Sequence, residues 1–211
     1  MTDGRISRAV SDHPAGPYTP VQTVLEGRGQ PHWDAHTAHN PRITKFDGKY
    51  YLYYVSTNPN EKELTEEQMD LARQRYSTKG MSPEEAQATK AEAVALRKEF
   101  QFNQRTGVAV ADRVTGPWKR LDHVLLEPSG PIKDMTVNPA VIARPDGGYL
   151  MFVRGIQPHI TAFKRSTAIA LADSPLGPWK IQEKPAVADL NSEDADVWYD
   201  KKRQRYYGLF H

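Results

Sequence analysis

The sequence predicts an all-β fold of four-stranded units, a β-propeller with about three blades present. Three observations predict it: a phrase that recurs, a hairpin that recurs with it, and a near-constant period. The phrase is an alternating strand ending at an aspartate, with Gly-Pro-aromatic placed so that the glycine stands four residues after the aspartate. Its copies run from Ser7 to Tyr18 (Asp12, Gly16-Pro17-Tyr18), Gly107 to Trp118 (Asp112, Gly116-Pro117-Trp118) and Ala168 to Trp179 (Asp173, Gly177-Pro178-Trp179). Period-two alternation marks a half-buried strand, and the Asp and Gly-Pro mark a turn before the next strand starts at the aromatic.

The hairpin interleaves with the phrase. His39-Asn40-Pro41 leads through Asp47-Gly48 into Tyr50 to Val55, and Val137-Asn138-Pro139 leads through Asp146-Gly147 into Tyr149 to Val153. Asp-Gly between alternating runs is the strongest short-range hairpin signal. A looser third copy runs from Glu193-Asp194-Ala195-Asp196 to Tyr206 and His211. Four antiparallel strands in about 60 residues is the unit of a propeller blade. A plain antiparallel sandwich is the competing arrangement, but sandwiches do not ordinarily repeat one turn phrase at a fixed period.

Asp112 and Asp173 stand 61 residues apart, whereas Asp12 and Asp112 stand 100 apart. An α-helical hairpin insertion at about 61–100 accounts for the excess. Thr65 is placed as an N-cap with Gln68 as its capping-box partner and Leu64 with Met69 as a staple. Ser82-Pro83-Glu84-Glu85 repeats the device with proline at the first helical position, ahead of an Ala-rich stretch to Phe100.

Composition narrows the function classes. The 211 residues are 38% hydrophobic and 26% charged, a globular balance, and the net charge of +2 without a clustered basic patch gives no reason to expect a nucleic-acid or anionic-membrane partner. With no cysteine, disulfides, thiolate metal sites and thiol nucleophiles are excluded. Met1 to Ala15 lacks the apolar run of a signal peptide and no stretch of 18 apolar residues occurs, so the compartment stays open.

These phrases resemble those of the five-bladed β-propeller glycoside hydrolases, the superfamily of family 43 with the related families 32, 62, 68 and 117. The resemblance rests on His39-Asn40-Pro41 with Asp47-Gly48-Lys49-Tyr50, on Asn138-Pro139-Ala140-Val141, on the Gly-Pro-Trp ends and on Glu193-Asp194-Ala195-Asp196-Val197-Trp198, and it covers nearly the whole chain outside the insertion. It implies a five-bladed ring with carboxylates on the innermost strands around an axial pocket, cleaving glycosidic bonds of an oligo- or polysaccharide by general acid and base catalysis. It implies no cofactor and leaves a structural divalent cation in the axial channel open.

Carried over by position, Glu193 stands where the family has its acid. The other two acids usually precede proline, where this sequence has Asn40 and Asn138. Asparagine is no Brønsted base, so these two are read as hydrogen-bonding to sugar hydroxyls. The carboxylate work then falls to Asp34 or Asp134, six and four residues before those asparagines. His39 and Asp194 are read as pocket residues contacting substrate, Trp33 as a platform for a sugar ring, and Arg154 as a partner for an acidic sugar or a carboxylate.

Each has a plainer alternative. Glu193, Asp194 and Asp196 form a solvated acidic turn in the bland reading, Asp34 and Asp134 cap backbone amides, and Arg154 makes a surface ion pair. The spacing of His32, His36 and His39 fits no zinc pattern, so no metal site is assigned. Tyr18, Trp118 and Trp179 share one repeat slot and are assigned to inter-blade core. A non-catalytic carbohydrate-binding propeller, and a structural or interaction propeller, are the rival functions. At about 60 residues per blade a five-bladed ring needs about 300. Residues 1–211 therefore read as one propeller domain, incomplete as a ring, with the insertion in one blade. The expectation is a fragment whose parent continues at both ends, with a leader and a further carboxylate there, and which is inactive alone.

Overall fold

The computed structural model describes residues 4–57, 64–72, 74–158, 164–188 and 190–211. Twelve strands among these residues form four antiparallel sheets in simple chain order. The first is β1 (Ile6–Val10) with β2 (Thr19–Leu25), and the second is β3 (His39–Phe46), β4 (Lys49–Thr57), β5 (Gln104–Ala111) and β6 (Lys119–Arg120). The third is β7 (Lys133–Ala143), β8 (Tyr149–Ile156), β9 (Arg165–Ala172) and β10 (Lys180–Pro185), and the fourth is β11 (Asp196–Asp200) with β12 (Arg205–Leu209). Two complete four-stranded blades thus stand between two two-stranded sheets, a partial β-propeller. The first sheet carries the third and fourth strands of the repeat unit and the last sheet carries its first and second.

The turns follow from local chemistry. Between β3 and β4 both turn residues, Asp47 (φ 47°) and Gly48 (φ 82°), occupy the left-handed region that a two-residue hairpin requires and that Asp and Gly tolerate. After β1, β5 and β9 the Gly-Pro turns repeat one geometry: Gly16, Gly116 and Gly177 each donate their N–H to the carbonyl three residues earlier, at 2.9 Å in all three.

Alternation sends one strand into two cores. On β4, Tyr51 and Tyr53 pack with Val108, Leu125, Val141, Met151 and Val153 between the second and third sheets, while Leu52 and Tyr54 pack with Ile6, Leu25, Ala38 and Ala109 against the first sheet. A run buried on both faces is what a sheet sandwiched between two others demands. Trp118 and Trp179 pack against these two inter-sheet cores, as their repeat slot predicts. Tyr18 departs from that expectation: it is 58% exposed. Trp118 and Trp179 pack toward the preceding sheet, and among the described residues no sheet precedes the first.

The insertion lies between β4 and β5 as a pair of helices, α1 (Glu66–Ala72) and α2 (Pro83–Phe102). Thr65 and Gln68 exchange the two capping hydrogen bonds at 3.2 Å each, and Ser82 with Glu85 forms the second capping box. Residues 61–63 of the expected insertion lie outside the described residues. Phe100 on α2 is buried against His36, with ring centroids 5.3 Å apart, which fixes the end of α2 beside the start of β3.

Candidate functional site

The first strands of three successive sheets, β3, β7 and β11, lie side by side, because β7 touches both of the others. Each carries the same irregularity. His39 pairs with Val55 and Arg42 with Tyr53, and Val137 pairs with Arg154 and Ala140 with Phe152. Glu193 exchanges backbone hydrogen bonds with His211, and Asp196 pairs with Leu209. Three residues on the first strand thus advance against two on its partner, which is a β-bulge of one extra residue. The residue opening each bulge has a left-handed backbone: Asn40 (φ 48°), Asn138 (φ 53°) and Asp194 (φ 49°). Asn and Asp tolerate this conformation better than other non-glycine residues, and the bulge turns their side chains toward one another.

They meet in a cavity of about 440 Å³ lined by Asn40, Pro41, Arg42, Asn138, Glu193 and Asp194 among others. Asn40 Nδ2 donates to Asn138 Oδ1 at 2.5 Å, and Asn138 Nδ2 donates to Asp194 Oδ1. Three sheets are tied by one chain of side-chain hydrogen bonds. A larger cavity, about 620 Å³, lies at the opposite end of β4 and β5 around Lys49, Asp112 and the Gly116-Pro117 turn, and it gathers one carboxylate.

Glu193 occupies the position of His39 and Val137 in the repeat, one before the bulge residue. Its Oε2 lies 2.8 Å from Arg165 Nε and 3.7 Å from Arg154 Nη1, and its Oε1 lies 3.9 Å from His211 Nδ1. Arg154 therefore faces a carboxylate. Burial holds its guanidinium below the ordinary arginine range, opposed by the charge of Glu193. Arg42 pairs with Asp196 across the cavity rim. His39 packs behind Asn40 with Nε2 3.4 Å from Gln104, and burial pushes its imidazole down to about 4.

The remaining sequence-derived candidates are elsewhere. Asp34 is fully buried, with Oδ1 2.6 Å from Arg28 and Oδ2 2.8 Å from both Arg120 and the Tyr54 hydroxyl. Both oxygens are occupied and no water reaches them, so Asp34 is a structural ion-pair hub and not a water-activating base. Trp33 stacks on Tyr54 at 5.9 Å and packs over Gly107 against the core between the first two sheets, and it does not line the cavity. Asp134 sits near the start of β7 beside Lys133 and does not line the cavity. Among the described residues no three His, Asp or Glu side chains converge as metal ligands.

Sequence reasoning missed Arg42 and Arg165, which no motif marks, and the bulge slot itself. Superposing the three hairpins by their strand partners would have aligned Asp194-Ala195 with the two Asn-Pro pairs.

No family model matches the chain and no curated protein matches its sequence. Solved structures do match. A family 117 glycoside hydrolase of the marine bacterium Zobellia galactanivorans shares 18% identity over all of this chain and 54% of its own, with a TM-score of 0.62. An α-L-arabinofuranosidase from Lactobacillus brevis shares 13% identity over 98% of this chain and 55% of its own, with a TM-score of 0.57. A family 43 β-xylosidase/α-arabinofuranosidase from a compost microbial metagenome, crystallised with xylotriose, shares 17% identity over 96% of this chain and 46% of its own, with a TM-score of 0.54. The chain spans about half the length of these structures. The likeness establishes the fold, a β-propeller like that of these three structures.

Proposed function

We propose that this chain carries the chemistry of a glycoside hydrolase, with a carbohydrate seated in the cavity where β3, β7 and β11 converge. One observation carries the reading: three successive inner strands deliver Asn40, Asn138, Glu193 and Asp194 to one polar cavity through the same bulge. Glycosidic cleavage needs a proton donor for the departing oxygen and a carboxylate on the other side of the sugar. Glu193 is assigned the proton-donor role. Its Oε2 is ion-paired to Arg165, so donation requires that this contact open and that the freed carboxylate take up a proton from solvent before it meets the glycosidic oxygen. The amides of Asn40 and Asn138 supply donors and acceptors suited to sugar hydroxyls.

A second reading is favoured by those same two asparagines. Neither can take or give a proton at neutral pH, so a cavity that binds a sugar without cleaving it is the chemically simpler use of them. Hydrolysis of a panel of aryl glycosides, measured beside binding by calorimetry, separates the two. Turnover that falls about 100-fold or more in Glu193→Gln with the melting temperature unchanged supports the hydrolase. Binding without turnover in the native protein would instead support the carbohydrate-binding reading.

A further inference from the structure

Resting on the hydrolase reading, we infer that Asp194 is the catalytic base of this site and Asn138 the residue that positions it. The first ground is elimination among carboxylates. Asp34 is sealed in a three-partner hub, Asp134 is outside the cavity, Asp196 is paired with Arg42, and Glu193 is engaged by Arg165 and Arg154. Asp194 lines the cavity, is exposed, and has no hydrogen-bond partner at Oδ2 among the described residues.

The second ground is the slot. In the three equivalent bulges the inward position is held by Asn40, Asn138 and Asp194, so the repeat places one ionisable group at the point where the sheets converge. The third is the polarity of the hydrogen-bond chain. An ionised carboxylate only accepts, so Asn138 must turn Nδ2 to Asp194, which turns its Oδ1 to Asn40, whose facing atom must then be Nδ2. The direction of the whole chain is dictated by a charged Asp194, and the chain in turn fixes Oδ1 and leaves Oδ2 for water. The charged groups around it are Glu193 and Asp196 on its own segment, Arg154 on β8, Arg165 on β9, Arg42 on β3 and His211.

The step balances. A water proton passes to Asp194 Oδ2 while the water oxygen bonds to the anomeric carbon. The bond from that carbon to the glycosidic oxygen breaks, and that oxygen keeps the electron pair and takes the proton carried by Glu193.

The test is the pH–rate profile on an aryl glycoside that the native protein cleaves, for the native protein, Asp194→Asn, Asn138→Ala and Asn138→Asp. Asp194→Asn is expected to lower kcat by about 100-fold or more, the ordinary weight of a general base. Asn138→Ala removes a donor to the ionised base, and Asn138→Asp sets a second carboxylate beside it, so both move the acid limb to higher pH, the second further. A purely structural Asn138 would change stability and leave the limb in place. Native hydrolysis with kcat of Asp194→Asn within about threefold, or an unmoved limb in the foldable Asn138 variant, overturns the inference and spares the hydrolase reading. No hydrolysis of any glycoside by the native protein overturns that reading and the inference with it.

Discussion

Asp34 shows how one side chain changes meaning between sequence and structure. In the sequence it is an acid close to a His-Asn-Pro phrase. In the fold it neutralises Arg28 and Arg120, holds the Tyr54 hydroxyl, and closes the core between the first two sheets. Burial, and then the charge of Asp34, push that hydroxyl above its ordinary range, so it remains a donor. Removing one member of a buried ion pair strands the other charges and costs about 3–5 kcal/mol. Asp34→Asn should therefore lose about that much in urea unfolding while turnover per folded molecule stays near native; a base at this position would show the reverse. His39 makes a pH prediction. Its imidazole is held at about 4 by burial against an ordinary value of 6.5, so the unfolded chain binds the extra proton between those limits. Stability should be at its plateau above pH 6.5 and fall as the pH drops toward 4, by about 3 kcal/mol in all. Unfolding midpoints of the native protein and His39→Gln, compared at pH 7 and pH 4.5, check this: the native protein should lose stability that the variant keeps.

At the level of strands, the Asp-Gly hairpins, the Gly-Pro-Trp turns and both capping boxes were legible because each depends on residues within four positions of one another. The inter-sheet cores were legible in part, through alternation on β4. What was not legible is where two strands touch side by side. Trp33 looked free because its partner, Gly107, lies on β5 beyond the whole insertion. A Cβ at Gly107 would lie 2.6 Å from Trp33 and 2.9 Å from the Tyr54 ring, closer than such atoms approach. Gly107→Ala should cost about 1–3 kcal/mol by overpacking, read as a lower denaturant midpoint at unchanged slope. The bulges were hidden for the same reason. An extra residue is visible only against its partner strand, and Glu193 pairs with His211 across a hairpin whose register the sequence alone left loose.

For the whole molecule, the repeat determines the site. Three first strands with one shared bulge, and αL backbones at Asn40, Asn138 and Asp194, converge because successive blades present the same slot to a common line. On the proposed function, the acid-or-amide choice at each slot decides between cleaving a sugar and holding one. Titrating neutral oligosaccharides of pentose and hexose type into isotopically labelled protein and following side-chain amide and backbone signals tests the site most directly. Saturable shifts centred on Asn40, Asn138, Glu193 and Asp194, and lost in Asn138→Ala, are expected. Saturable shifts that instead cluster around Lys49, Asp112 and the Gly116-Pro117 turn, leaving the bulge residues unmoved, would contradict the assignment of the site.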